Sequence, residues 1–180
     1  NPLYTEPTGW PASMVGIPYD ALDNWRSVYP TETFVAQMQK VADGFAAGCE
    51  LLQKAVAVSK GKYRKQLTDD LGRARTVGIH CASSANQARF TEARNRLLTS
   101  TDRDERRRYI DTMRRAAEAE AELTADLLPI VRNDPTIGYE SSNHYFYVPQ
   151  DLLEKQLNIR YVLDWLDRQA EPRNSETSQQ

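Results

Sequence analysis

The chain has 180 residues with 23 basic and 25 acidic side chains, a net charge of −2 at pH 7, so no global field draws it to nucleic acid or to an anionic membrane. That length suits one domain able to bury most of its apolar surface without staples, and no apolar run approaches the roughly 20 residues needed to cross a bilayer. Cys49 and Cys81 are too few for a disulfide framework. On antiparallel helices turning near Gly61 they would lie ~15 Å out of register, too far apart to bridge, and both are expected as small apolar groups. The chain opens at Asn1 without a methionine or an apolar signal segment, the pattern expected of a piece of a larger parent.

Residues 1–30 carry five of the nine prolines together with Trp10, Trp25, Tyr4, Tyr19 and Tyr29. Prolines at this density forbid regular helix or central strand. An extended arm is therefore expected over 1–30, with a short helical turn at 20–26 and Trp10 and Trp25 pinning it to the rest. A first long helix is expected from Thr31, read as an N-cap before the acidic Glu32. Phe34, Val35, Met38, Val41, Ala42, Phe45, Cys49, Leu52 and Val56 then recur at helical spacing until Ser59-Lys60-Gly61. Gly44 and Gly48 inside it weaken the helix and point to a close neighbour.

A second helix is expected over 62–99. Its apolar stripe narrows to small residues midway, and Arg73, His80, Ser83, Ser84, Asn86, Gln87, Arg89 and Arg94 interrupt or flank it. His80, Ser84 and Gln87 share one face. Two readings stand: a solvated face, or a partly buried polar network that binds the aromatic loop or a ligand. Thr101 to Asp104 resembles a capping box for a third helix, whose stripe runs from Tyr109 to Val131 with Pro129 weakening the last turn. Glu120 falls in that stripe, either at its edge or buried against an Arg or His on a neighbour. The fourth helix starts at Pro149, a favoured first position. The tail from 171 onward has the composition of a frayed end. The expected architecture is all-α, an up-down-up-down bundle of four long helices over 31–170 with the arm laid across it.

The connection from Arg132 to Val148 is long for a compact domain, and such loops are usually functional or disordered. Its aromatics argue against disorder. Glu140, Asn143, His144, Tyr145 and Tyr147 are the candidate ligand-binding residues, with Arg89, Arg94 and His80 of the second helix as their supports. There is no Gly-rich phosphate loop, no metal spacing of His or Cys and no signature of a Ser or Cys nucleophile, so no cofactor and no metal are expected. Aromatic rings beside carboxylates and amides suit sugars, whose apolar faces stack on rings while their hydroxyls are hydrogen-bonded. Glycoside cleavage needs two facing carboxylates. The acids on loops are Asp20, Asp23, Asp134 and Glu140, with nothing to show that two of them face each other.

The runs Gly9 to Asp20 (GWPASMVGIPYD), Trp25 to Pro30 (WRSVYP), Asn86 to Phe90 with Arg94, and Ile137 to Tyr147 (IGYESSNHYFY) resemble the C-terminal part of large bacterial proteins of glycoside-hydrolase type from polysaccharide-degrading systems. The similarity extends over nearly all of 1–165. It implies a helical accessory region packed on an upstream catalytic domain, lending loops to glycan, in the periplasm or outside the cell. The chain alone is then expected to be inactive. The alternative is a helical module whose 132–148 loop binds a protein partner. Neither nucleic acid nor membrane is an expected partner.

Overall fold

The computed structural model describes residues 2–11, 20–138 and 147–170, apart from the side chains of Trp25 and Ala170. Among these residues there is no strand. The chain forms α1 (Leu22–Trp25), α2 (Thr31–Val58), α3 (Gly61–Thr99), α4 (Arg103–Asn133) and α5 (Pro149–Ala170), so the expectation of an all-helical chain with four long helices holds. No helix is long and apolar enough to cross a membrane among the described residues.

Helix ends follow local chemistry, with two shifts from expectation. Thr31 is already helical, and its hydroxyl donates across to Glu92 Oε2 at 3.3 Å, so it ties α2 to α3 rather than capping. The cap of α4 falls one residue later than Thr101: Asp102 accepts from the Glu105 amide at 2.8 Å, and Ser100 Oγ donates to the Glu105 carboxylate at 2.9 Å. Pro129 does not end α4, which runs on to Asn133. Buried Leu127 and Val131 hold that last stretch against the core and offset the missing amide.

Each long helix packs antiparallel on the next. Arg75 of α3 reaches Gln53 of α2 at 2.9 Å while Arg89, further along α3, reaches Gln39 at 3.0 Å. Arg114 of α4 pairs with Asp167 of α5 at 2.7 Å, and further down α4 the Ala121 carbonyl accepts from Gln156. Among the described residues no Cα of α2 lies within 8 Å of α4 or α5. The helices therefore follow one another up and down, and α2 stands at an open edge with α3 as its only long-helix neighbour.

Burial explains this order. The C-terminal half of α3 is the central post: Ser84, Ala85, Asn86, Gln87, Ala88, Phe90, Thr91, Ala93, Arg94 and Leu97 are all buried. Phe90, Ala93 and Leu97 share a core with Ile110, Met113, Ala116 and Ala117 of α4 and Ile159, Val162 and Leu166 of α5. In α2 only Ala42 and Cys49 are buried. Leu51 and Val58 are 66% and 82% exposed.

The N-terminal arm is pinned by residues other than those expected. Trp10 is 73% exposed, while Leu3 is buried in the main core. Asn158 of α5 grips the backbone of Leu3 from both sides, accepting from its amide at 2.7 Å and donating to its carbonyl at 3.0 Å. The sequence drew attention to the largest rings, but a small aliphatic side chain with a two-sided amide clamp fixes this segment. The side chain of Trp25, the other expected pin, lies outside the described residues.

The glycines separate by environment. A Cβ on Gly78 would stand 3.2 Å from Phe45 Cβ, so this glycine lets α2 and α3 approach. Gly44 and Gly48 were expected at a close neighbour, yet a Cβ on either would meet nothing within 4 Å. Gly44→Ala and Gly48→Ala should each raise stability by roughly 0.5–1 kcal/mol in urea titrations, because alanine loses less backbone freedom on folding. Gly78→Leu should lower it by about 1–3 kcal/mol through overpacking.

Candidate functional site

The polar residues of α3 form a buried network that joins all four long helices. At its centre is Glu120 of α4, fully buried. Its carboxylate accepts from Ser83 Oγ at 2.8 Å and Asn86 Nδ2 at 3.1 Å, and is ion-paired with Lys155 Nζ of α5. Asn86 Oδ1 accepts from Arg89 at 2.9 Å, and Arg89 reaches on to Gln39 Oε1 at 3.0 Å. Gln87 Nε2 donates to Ser83 Oγ at 3.0 Å. Gln87 Oε1 is the one buried side-chain polar atom without a partner among the described residues.

The spacing of α3 makes this possible. Ser83, Asn86 and Phe90 recur at three- and four-residue steps and face α4 together, so the network is built into the same stripe as the core. Of this face, Ser83, Asn86 and Gln87 are found in a partly buried network whose bonds run to one another and to Glu120, while His80 is exposed. Glu120 is buried rather than at the edge of its stripe, but its partner is neither the Arg nor the His expected: it is Lys155, a residue without a distinguishing sequence pattern. Only tertiary contact brings it within reach.

Ser83, Lys155 and Glu120 do not make a nucleophile. A serine needs a neighbour with a free lone pair to take its proton, and the Lys155 ammonium is committed to Glu120. The Ser83 hydroxyl itself donates to a carboxylate already holding a lysine and an asparagine. The arrangement is suited to fixing helix positions, since every charge is paired and hydrogen-bonded.

Arg94 organises a second cluster. It is 1% exposed and donates to the carbonyls of Tyr4 and Glu6, each at 3.2 Å, with Asp20 at 3.7 Å. Asp20 accepts from the Thr8 amide at 2.6 Å and its hydroxyl at 3.1 Å. Burial works against the Arg94 charge and pulls its pKa down, while Asp20 partly restores it. Burial, then Asp20, pushes the Tyr4 phenol up.

Of the three expected supports for the 132–148 loop, His80 meets it among the described residues, through a hydrogen bond between its Nδ1 and Tyr147 Oη, while Arg89 binds α2 and Asn86 and Arg94 binds the arm. The two rings meet edge to face with centroids 6.0 Å apart. Tyr147 also packs with Leu127, Val131, Leu152 and Ile137. Gly138, at φ +79, is where it rests: a Cβ there would stand 2.7 Å from Tyr147 Cδ2. Tyr147 therefore helps seat the loop on the helices. Glu140, Asn143, His144 and Tyr145 lie outside the described residues.

The loop acids that are described do not face one another. Asp20 is held at Arg94, and Asp134 accepts from Thr136 at the opposite end of α3, near Arg73. Their partners are 21 residues apart on one helix, about 31 Å, well beyond the separation that glycoside cleavage requires. Asp23 pairs locally with Arg26. No group of three or more His, Cys, Asp or Glu able to hold a metal occurs among the described residues. Both cysteines are free, and burial raises the Cys81 thiol pKa, which keeps it protonated and unreactive.

His80 gives a pH expectation. Desolvation is the largest cause that holds its pKa below the usual histidine value, with the positive charges of the N-terminus and then of Lys155 adding to it. The unfolded chain then takes up a proton before the folded one does, so stability falls as pH drops through the unfolded histidine pKa and stops falling below the folded one. The urea midpoint should be lower at about pH 5 than at about pH 7.5, and His80→Gln should flatten that difference.

Comparisons of the chain with models of known protein families, with curated proteins and with solved structures gave no match.

Proposed function

We propose that the chain is a non-catalytic helical accessory domain that packs on a larger protein, and that this partner is the catalytic domain of a bacterial carbohydrate-active enzyme working in the periplasm or outside the cell. The four long helices act as an up-down-up-down bundle left open at α2, with the aromatic arm closing the opposite side. The observation that carries the reading is α2, an amphipathic helix whose apolar residues are mostly half-buried or exposed, as when a face awaits a partner. The interior polar groups point the same way, being engaged with one another. The carbohydrate assignment of the partner rests on the sequence resemblance and on the aromatic composition of 132–148.

The same bare helix also favours a helical interaction module serving a different kind of parent. The polypeptide encoded ahead of this chain separates the two. A barrel with paired carboxylates supports the first, and a coiled coil or receptor segment the second. The direct test is hydrogen exchange of the 180-residue chain with and without that separately produced region. Slowed exchange over α2 is the expected result, and unchanged exchange throughout would sink the accessory assignment. The chain alone should release no reducing sugar from polysaccharide fragments. Turnover abolished by Glu140→Gln would make it a catalytic domain instead.

A further inference from the structure

Between α2 and α4, with α3 as its floor, runs an open trough. One stretch, about 780 Å³, is lined by Ala42, Phe45, Ala46 and Cys49 of α2, Gly78 and Ile79 of α3, and Leu123 and Ile130 of α4. A second, about 770 Å³, continues past Val35 to Thr31 and Tyr109, and the two share Gln39 and Asp43. From Thr31 to Gln53 the wall made by α2 extends about 33 Å, the length of a helix of roughly 20 residues. No Cα atoms of the two walls lie within 8 Å of each other, and a trough of this length suits a helix rather than a small molecule.

The charges along the trough are uneven. In the second stretch they balance, with Glu92 paired to Arg96 and Arg89 bonded to Gln39. The first stretch carries Asp43, Glu50 and Asp126 against a single Arg75, which is bonded to Gln53. Glu50 and Asp126 make no ion pair with any described residue. Acids flanking an apolar floor select for bases flanking an apolar ridge.

We infer that the trough seats one amphipathic helix of a protein partner, with Lys or Arg beside its apolar ridge lying against Asp43, Glu50 and Asp126. This deepens the accessory-domain reading and rests on it for the partner's origin, while the seat itself can be tested without that partner. The ridge fills the space over Ala46 and Ile79, in the helix-in-groove mode in which anchors recur at i, i+3, i+4 and i+7. The incoming helix supplies α2 with the second neighbour it lacks.

The test uses three fluorescent peptides with the full 180-residue chain: a Leu/Ala-ridged helix with Lys flanks, the same ridge with Glu flanks, and the Lys peptide with its order scrambled. The Lys helix should bind about tenfold more tightly than the Glu helix, and the scrambled peptide should not bind. Glu50→Lys with Asp126→Lys, both at surface positions, should reverse the preference, and Ala46→Arg should block the trough. Equal binding of the Lys and scrambled peptides would mean simple charge attraction and overturn the seat, as would no binding of any peptide. A homodimer that Ala46→Arg separates would put a second copy in the trough and overturn the partner assignment. If the peptides behave as expected while the upstream region fails to protect α2, the seat stands and the accessory reading fails. If that region protects α2 equally in Ala46→Arg, the reverse holds.

Discussion

Glu120→Ala should destabilise the fold by about 3–5 kcal/mol, the usual cost of leaving a buried charge without its partner. Glu120 is fully buried, and its removal leaves Lys155, whose side chain is 11% exposed, with only the Ser83 hydroxyl at 3.4 Å. Ser83 and Asn86 lose their acceptor at the same time. Because the network reaches Gln39 through Arg89, the loss should loosen α2 as well as α4 and α5. Replacing both members of the pair, Glu120→Leu with Lys155→Met, should restore most of the stability, since no charge is then stranded. Urea unfolding of the single and double variants measures both effects. A single variant within about 1 kcal/mol of the parent would show that the pair is not buried as described.

Arg94→Ala should cost a similar amount, about 3–5 kcal/mol, but its effect should be local. The substitution strands the carbonyls of Tyr4 and Glu6 and leaves Asp20, itself 4% exposed, with only its Thr8 donors. Hydrogen exchange should therefore quicken at 2–11 and 20–26 first, while the paired stretches of α4 and α5 stay protected. Arg94→Lys should not rescue, because one ammonium cannot meet two carbonyls and a carboxylate with the geometry of a planar fork. Asn158→Ala, which removes both bonds to Leu3, should release the start of the arm at a smaller cost of about 1–3 kcal/mol. If Arg94→Ala leaves exchange at 2–11 unchanged, the arm is held by Leu3 and Asn158 alone.

Much of this architecture is legible in the sequence because it is local. Apolar residues at helical spacing, Pro149 at a first turn and Ser59-Lys60-Gly61 at a break are statements about neighbours a few residues apart, and the backbone obeys them. The cap of α4 shows how close a local reading comes and where it slips: Thr101 and Asp102 both suit an N-cap, and the choice of Asp102 is sealed by Ser100 holding Glu105. The candidate site was legible only in part. His80 and Tyr147 were singled out and do meet, while the described partners of Arg89 and Arg94 include groups on α2 and the arm that no local pattern marks.

The sequence by itself determined that the chain is helical, where its long helices run, and that α3 carries polar groups in an apolar stripe. Only the tertiary structure decided which of those groups are buried and with whom. Periodicity gives the direction a side chain leaves its own helix but says nothing of what stands opposite. Lys155 has no pattern to mark it, and becomes the partner of Glu120 because α5 returns antiparallel along α4. Gly44 and Gly78 look alike as glycines within helices, yet one faces open space and the other Phe45. The open trough is the same kind of fact, since an apolar face on α2 is written in the sequence, but its being uncovered depends on where α4 and α5 lie.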